Sequence, residues 1–193
     1  MHCAAAFAAL LRCCPQLRVL TARGWDVLPV LSASAAGLDT RFGTASALRQ
    51  TLYEVTGHRP LTTLQAVEPL GPQRLAEALI IAPATGTTMA LLAAGISSTP
   101  VTLAAKKPFA RRTAPIIIAP STNDGLSGSA PALGQLLQRR SYYFVPFGQD
   151  DSYKNAVQPE KRFHAPARHI RSRAARRADP AAAAVISGRE RGI

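Results

Sequence analysis

An apolar run that stops in a small, hydroxyl-rich turn constrains this chain more than any other feature. Ala78-Leu79-Ile80-Ile81-Ala82 leads into Pro83-Ala84-Thr85-Gly86-Thr87-Thr88. A strand covered on both faces reads as continuous apolar sequence, because neither side of its pleat meets water. The run therefore predicts a buried strand over 78–82, ended by Pro83, whose nitrogen has no proton for the ladder. Gly86 permits tight backbone geometry. Thr87 and Thr88 suit the start of a helix over 87–95, whose first N–H groups lack partners within the helix. Such an end attracts phosphate or carboxylate. The unit recurs at Pro115-Ile116-Ile117-Ile118-Ala119-Pro120-Ser121-Thr122-Asn123-Asp124-Gly125. Two such turns at neighbouring strand ends can line one crevice at the carboxyl edge of an open α/β sheet.

The rest of the chain supplies the remaining layers. Residues 2–22 predict a helix, since Phe7, Leu10, Leu11, Cys14 and Leu17 recur near helical spacing; Pro15 interrupts it. Trp25 to Leu31 reads as a short strand with Pro29 as its weak point. A helix over 44–57 opens at Thr44 or Ser46 and closes at Gly57. Residues 61–76 read mostly as loop, 100–103 as a short strand, 130–139 as a helix and Tyr142 to Phe147 as a last strand. Alternating strands and helices predict a three-layer α/β/α domain with a flavodoxin- or Rossmann-like parallel sheet. The usual first strand is missing from this pattern, which opens directly in a helix.

Charge separates the domain from the C-terminal stretch. The chain of 193 residues carries a net charge of +12. Residues 154–193 hold ten Lys and Arg against three Asp and Glu, which is +7 of that total. Residues 1–157 are expected to form the α/β domain and 158–193 a basic, Arg- and Ala-rich tail, disordered or weakly helical. Arg168, Arg171, Arg173, Arg176 and Arg177 can share a basic helix face, yet aromatics beyond Phe163 are not interleaved with them, so a solvated tail is the better reading than a nucleic-acid arm. No apolar run approaches the roughly 20 residues of a membrane helix, and the N-terminus lacks the positive start of a secretory signal. Cys3, Cys13 and Cys14 are an odd cluster at one end, which suits small buried residues in a reducing compartment better than disulfides or a metal site.

A series of short blocks, taken in order, resembles a known family. They are Thr40-Arg41-Phe42-Gly43, Thr56-Gly57, Glu68-Pro69-Leu70-Gly71-Pro72, Ile81 to Met89, Ala104-Ala105-Lys106, Ser121-Thr122-Asn123-Asp124, and Val145-Pro146-Phe147-Gly148-Gln149-Asp150-Asp151. Together they look like the dipicolinate synthase B subunits of spore-forming bacteria, within the flavoproteins typified by phosphopantothenoylcysteine decarboxylase. The likeness runs over about residues 2–157. The family opens with a strand and a Gly-Ser turn before the helix that starts here at His2, and beyond Gln158 it continues with mixed helical sequence. A start assigned too late and a frame change near 158 would account for both departures.

The resemblance implies an oxidoreductase component of the mother-cell cytoplasm during sporulation. With a partner, the dipicolinate synthase A subunit, it would oxidise a dihydro- or hydroxytetrahydro-dipicolinate precursor to pyridine-2,6-dicarboxylate. FMN is the implied cofactor of this chain and NADP that of the complex; a homo-oligomer is compatible with it. A ring bearing two carboxylates needs cations or helix N-termini, and a flavin needs a phosphate cradle. Thr85, Gly86, Thr87 and Thr88 suit the cradle. Ser121, Thr122 and Asn123 suit a ring edge or a carboxylate. Helix capping is the ordinary use of such hydroxyls, and for Asp124 it outweighs a catalytic role. Arg41 and Lys106 are the candidate substrate cations, while Lys107, Arg111 and Arg112 read as an exposed basic loop. Gln149, Asp150 and Asp151 suit a sheet edge or a subunit contact, and His58 a surface loop. No nucleophile–base pair is visible, so the catalytic residues stay unassigned. Two other readings remain: a non-catalytic protein of this fold that only supports the A subunit, and a basic nucleic-acid binder.

Overall fold

The computed structural model describes residues 2–70, 77–106, 114–122, 124–149, 159–161 and 184–187. The sheet is built on two parallel central strands, β2 (Ala78–Ala84) and β3 (Ile116–Pro120), with β4 (Tyr142–Phe144) parallel beyond β3. Side chains alternate across the pleat. Ile80, Ala82, Ile117 and Ala119 face one apolar cluster, while Leu79, Ile81, Ile116 and Ile118 face another. Burying an Ile or Leu side chain fully stabilises the fold by roughly 1.5–3 kcal/mol.

Helices cover both faces, giving the expected three layers. On one side lie α1 (His2–Ala22) and α3 (Ala45–Thr56), which contribute Leu10, Cys13, Cys14, Leu17, Leu20, Leu48 and Leu52. Pro15 is accommodated within α1 on its exposed side. The short α2 (Ala33–Gly37) is tied to α3 by the Arg49 guanidinium, which donates to the Ala36 carbonyl. Thr44 caps α3 by accepting from Ala47 N, and Asp39 Oδ1 accepts from Ala45 N at 2.8 Å. Gly57 ends that helix at φ 74°, a left-handed conformation that glycine adopts without a Cβ penalty. On the other side lie α4 (Leu64–Val67), continued by one 3₁₀ turn over Glu68–Leu70, then α5 (Gly86–Ala93), α6 (Pro100–Lys106) and α7 (Ala130–Leu137).

Several expectations are corrected. Pro83 does not end its strand: β2 continues to Ala84. The ladder to β3 shifts register between Ile81 and Ala84, so Pro83 occupies the irregularity, where no N–H is required; its peptide bond with Ala82 is cis. That shift also returns Ala84 to the face of Leu79 and Ile81. Residues 100–103 are helical rather than extended. Thr99 Oγ1 accepts from Thr102 N at 3.2 Å, and Pro100 stands at the first helical position, where its missing N–H costs nothing. The strand expected over 25–31 shortens to β1 (Asp26–Leu28), with Val30 bridging Leu61 beyond it. The last strand divides at Val145-Pro146 into β4 and β5 (Phe147–Gln149), and β5 pairs with β6 (Pro159–Lys161) in a separate ribbon.

The expected tail contributes to the main sheet. Strand β7 (Ala184–Ser187) lies between β1 and β2, antiparallel to both, in the order β1-β7-β2-β3-β4. Val27 opposes Ile186 on one side, and Ala78 opposes Ile186 on the other. The four residues of β7 are therefore neither disordered nor helical. Because β7 runs against both neighbours, β1 and β2 are parallel to each other. In the 2-1-3-4-5 order of flavodoxin-like sheets, β7 holds the second place, that of the first strand, with its direction reversed. The Arg-rich stretch 168–177 lies outside the described residues.

Candidate functional site

The two strand–turn–helix units meet at the carboxyl edge of the sheet. Ser121 N donates to the Ala84 carbonyl at 2.8 Å, which joins the ends of β2 and β3. Thr85, not Thr87 or Thr88, is the cap of α5. Its Oγ1 accepts from Thr88 N at 3.3 Å and bonds the Thr88 hydroxyl at 3.1 Å. The helix consequently starts at Gly86, and the N–H groups of Gly86 and Thr87 have no acceptor within the helix. Both point along the positive end of the helix dipole. Thr85, Gly86 and Thr88 are half-buried and Thr87 is exposed.

The second turn is organised by a carboxylate. Asp124 Oδ1 accepts from the Ser129 hydroxyl at 2.7 Å and from the Thr122 hydroxyl, while the Asp124 carbonyl accepts from the N–H groups of Ser127 and Ser129. Thr122 and Ser129 also lie 3.3 Å apart, oxygen to oxygen. Asp124 is thus the centre of the turn rather than the cap of α7, whose first residue follows Ser129. Two glycines make room for it. A Cβ on Gly128 would lie 2.8 Å from Asp124 Oδ2. A Cβ on Gly86 would lie 2.4 Å from Ser129 Oγ, 3.0 Å from Thr122 Oγ1 and 3.4 Å from Asp124 Oδ1. Gly86 is therefore where the first turn rests on the second, and the two form one continuous surface.

Ser129 and Gly128 are residues that sequence reasoning missed. The hydroxyl–glycine alternation Ser127-Gly128-Ser129, shortly after Gly125, was the available signal. Ser121 and Thr122 are half-buried on the shared rim. Asn123 lies outside the described residues, as do Asp150, Asp151, Lys107, Arg111 and Arg112. Gln149 belongs to the β5–β6 ribbon rather than to the sheet.

The two candidate cations part company. Arg41 stands in a tight turn where Thr40 and Gly43 exchange backbone hydrogen bonds, and its guanidinium lies 4.8 Å from the centre of the Phe42 ring. This turn precedes α3, and the far end of α3 leads to His58, which pairs with Asp26 at the start of β1 (Nε2 to Oδ1, 2.6 Å). Twelve residues of helix span about 18 Å, which puts Arg41 toward the carboxyl edge, on the side of the turns. His58 is a partnered surface histidine rather than an isolated one. Lys106 closes α6 beside Ile116, the first residue of β3. It therefore lies at the amino edge, on the same face as Gly86 but at the opposite end of the strands.

A three-layer α/β/α domain with β2, β3 and β4 parallel and two strand–turn–helix units meeting at their carboxyl edge defines a class. The chain belongs to the flavoprotein family: residues 2–130 match the family described as Flavoprotein. It is similar in particular to the dipicolinate synthase B subunit of Bacillus subtilis (strain 168), with 34% identity over 140 residues, which are 72% of this chain and 70% of that protein. The crystal structure of the dipicolinate synthase B subunit from Bacillus halodurans C superimposes with a TM-score of 0.72 at 27% identity, over 81% of this chain and 80% of that one. Among the described residues no group of three or more His, Cys, Asp or Glu could hold a metal ion. No helix among them is long and apolar enough to cross a membrane.

Proposed function

We propose that this chain is the B subunit of a dipicolinate synthase. It would work with an A subunit to oxidise a dihydrodipicolinate-type precursor to pyridine-2,6-dicarboxylate in the cytoplasm of a sporulating mother cell. The observation that carries this reading is the 34% identity to the Bacillus subtilis protein over most of both chains. The contact of the two turns at Gly86 supports a built crevice at the carboxyl edge.

The residues of that crevice fit FMN in a divided way. Gly86 and Thr87 would donate backbone N–H groups to a phosphate, as helix N-termini do. The hydroxyl protons of Thr122 and Ser129 go to Asp124. Ser129 is buried against Gly86, so Thr122, half-buried at the rim, would offer its oxygen as an acceptor. The second turn thereby suits the N–H edge of a flat ring better than an anion. Arg41 would meet a substrate carboxylate from the same side. A bound flavin would supply two-electron chemistry, and NADP at the level of the complex would take the hydride equivalent.

Visible absorption of the purified chain after incubation with FMN and desalting tests the cofactor. Product formation with the A subunit tests the reaction. Retained flavin and pyridine-2,6-dicarboxylate formed only when both subunits are present are expected. Flavin-free protein that still supports the A subunit would favour the purely supporting role.

A further inference from the structure

We propose that the amino edge of the sheet carries a second binding site, for a phosphorylated small molecule of nucleotide size. A cavity of about 570 Å³ opens there, between the ends of α5 and α6 and the starts of β3 and β4. Small-molecule sites commonly enclose roughly 300–1,000 Å³. Lys106, Arg139 and Arg140 line it, and the described residues around it include no Asp or Glu. Lys106 and Arg140 are exposed at its mouth. Leu92 and Ile116, both buried, form an apolar wall beside Tyr142.

Helix ends would ordinarily weaken an anion site here, because their terminal carbonyls carry partial negative charge. Arg139 removes that obstacle at α5. Its guanidinium donates to the Leu92 carbonyl at 2.9 Å and to the Ala93 carbonyl at 2.5 Å, and it lies 5.5 Å from the centre of the Tyr142 ring. This leaves Lys106 and Arg140 to meet phosphate oxygens. Cations at the mouth and an apolar wall within select an anion with a flat, weakly polar body. The site lies at the opposite edge of the sheet from Gly86 and stands independently of the flavin reading.

Calorimetric titration of the full chain with ADP, inorganic pyrophosphate and adenosine tests it. ADP is expected to bind at least tenfold more tightly than pyrophosphate, and adenosine not at all. The double variant Lys106→Gln/Arg140→Gln should weaken ADP at least tenfold without changing the melting temperature of the ligand-free chain. Ser97→Glu, which sets a carboxylate on the cavity wall, should act in the same direction and decides the matter if the double variant does not fold. Gly86→Val should leave ADP affinity unchanged. Absent ADP binding, pyrophosphate as tight as ADP, or affinity that responds to Gly86→Val and not to the amino-edge variants would overturn the proposal.

Discussion

Gly86 has no space for a side chain, and the reason lies 43 residues further along the chain, at Ser129. Gly86→Ala would press a methyl group onto the Ser129 hydroxyl, and overpacking of this kind costs roughly 1–3 kcal/mol. Since 1 kcal/mol corresponds to about 2–4 °C for a domain of this size, thermal melts resolve the effect. In a Ser129→Ala background the same substitution should cost much less, because the clashing oxygen is gone; an unchanged cost would mean that the turns do not touch. Cys14 offers a second test. Burial pushes its thiol above the ordinary range, against the nearby Arg18 charge, which lowers it. The folded chain therefore holds this proton to higher pH than the unfolded chain does. Its contribution to stability is complete below the unfolded thiol value of about 8.5 and is lost as pH rises through the folded value. Cys14→Ala should flatten the fall in melting temperature above that pH. At this scale the hydroxyl and glycine types of the site were legible in sequence, but their partners were not. Thr85 took the cap expected of Thr87 or Thr88, and Asp124 drew in Thr122 and Ser129.

Elements with strong local signals form where their residues predict. The continuous apolar runs became β2 and β3, and Thr44 with Gly57 bounds α3. Weak local signals yielded to context: Val101 and Leu103 alternate as a strand would, yet the Thr99 cap and Pro100 start a helix there. Strand β7 had no legible role at all, because four residues of moderate β-propensity acquire meaning only from the strands beside them. Its removal would leave β1 and β2 without their shared partner, with buried backbone groups costing roughly 1–3 kcal/mol each. Ile186→Pro, which deletes an N–H in the middle of β7, is therefore expected to lower the melting temperature by several degrees and to promote aggregation through the open edge. An unchanged melt would show that the sheet does not depend on this strand.

For the whole molecule, the proposed flavin binding would be linked to folding. A ligand at 100 times its Kd stabilises the native state by about 2.7 kcal/mol, so saturating FMN should raise the melting temperature measurably. Gly86→Val should abolish that rise, with circular dichroism still reporting the α/β fold. A rise that persists in the variant would remove the first turn from the cofactor site. The sequence by itself determined the layered α/β class, because continuous apolar strands alternating with amphipathic helices admit few other burials. It also determined the family, through short blocks whose order chance does not produce. Tertiary structure alone decided which strand lies between β1 and β2, that Lys106 and Arg41 lie at opposite edges, and that Asp124, Ser129 and Gly86 meet. Those outcomes depend on contacts between residues far apart in the chain, and no local pattern of propensity or periodicity encodes them.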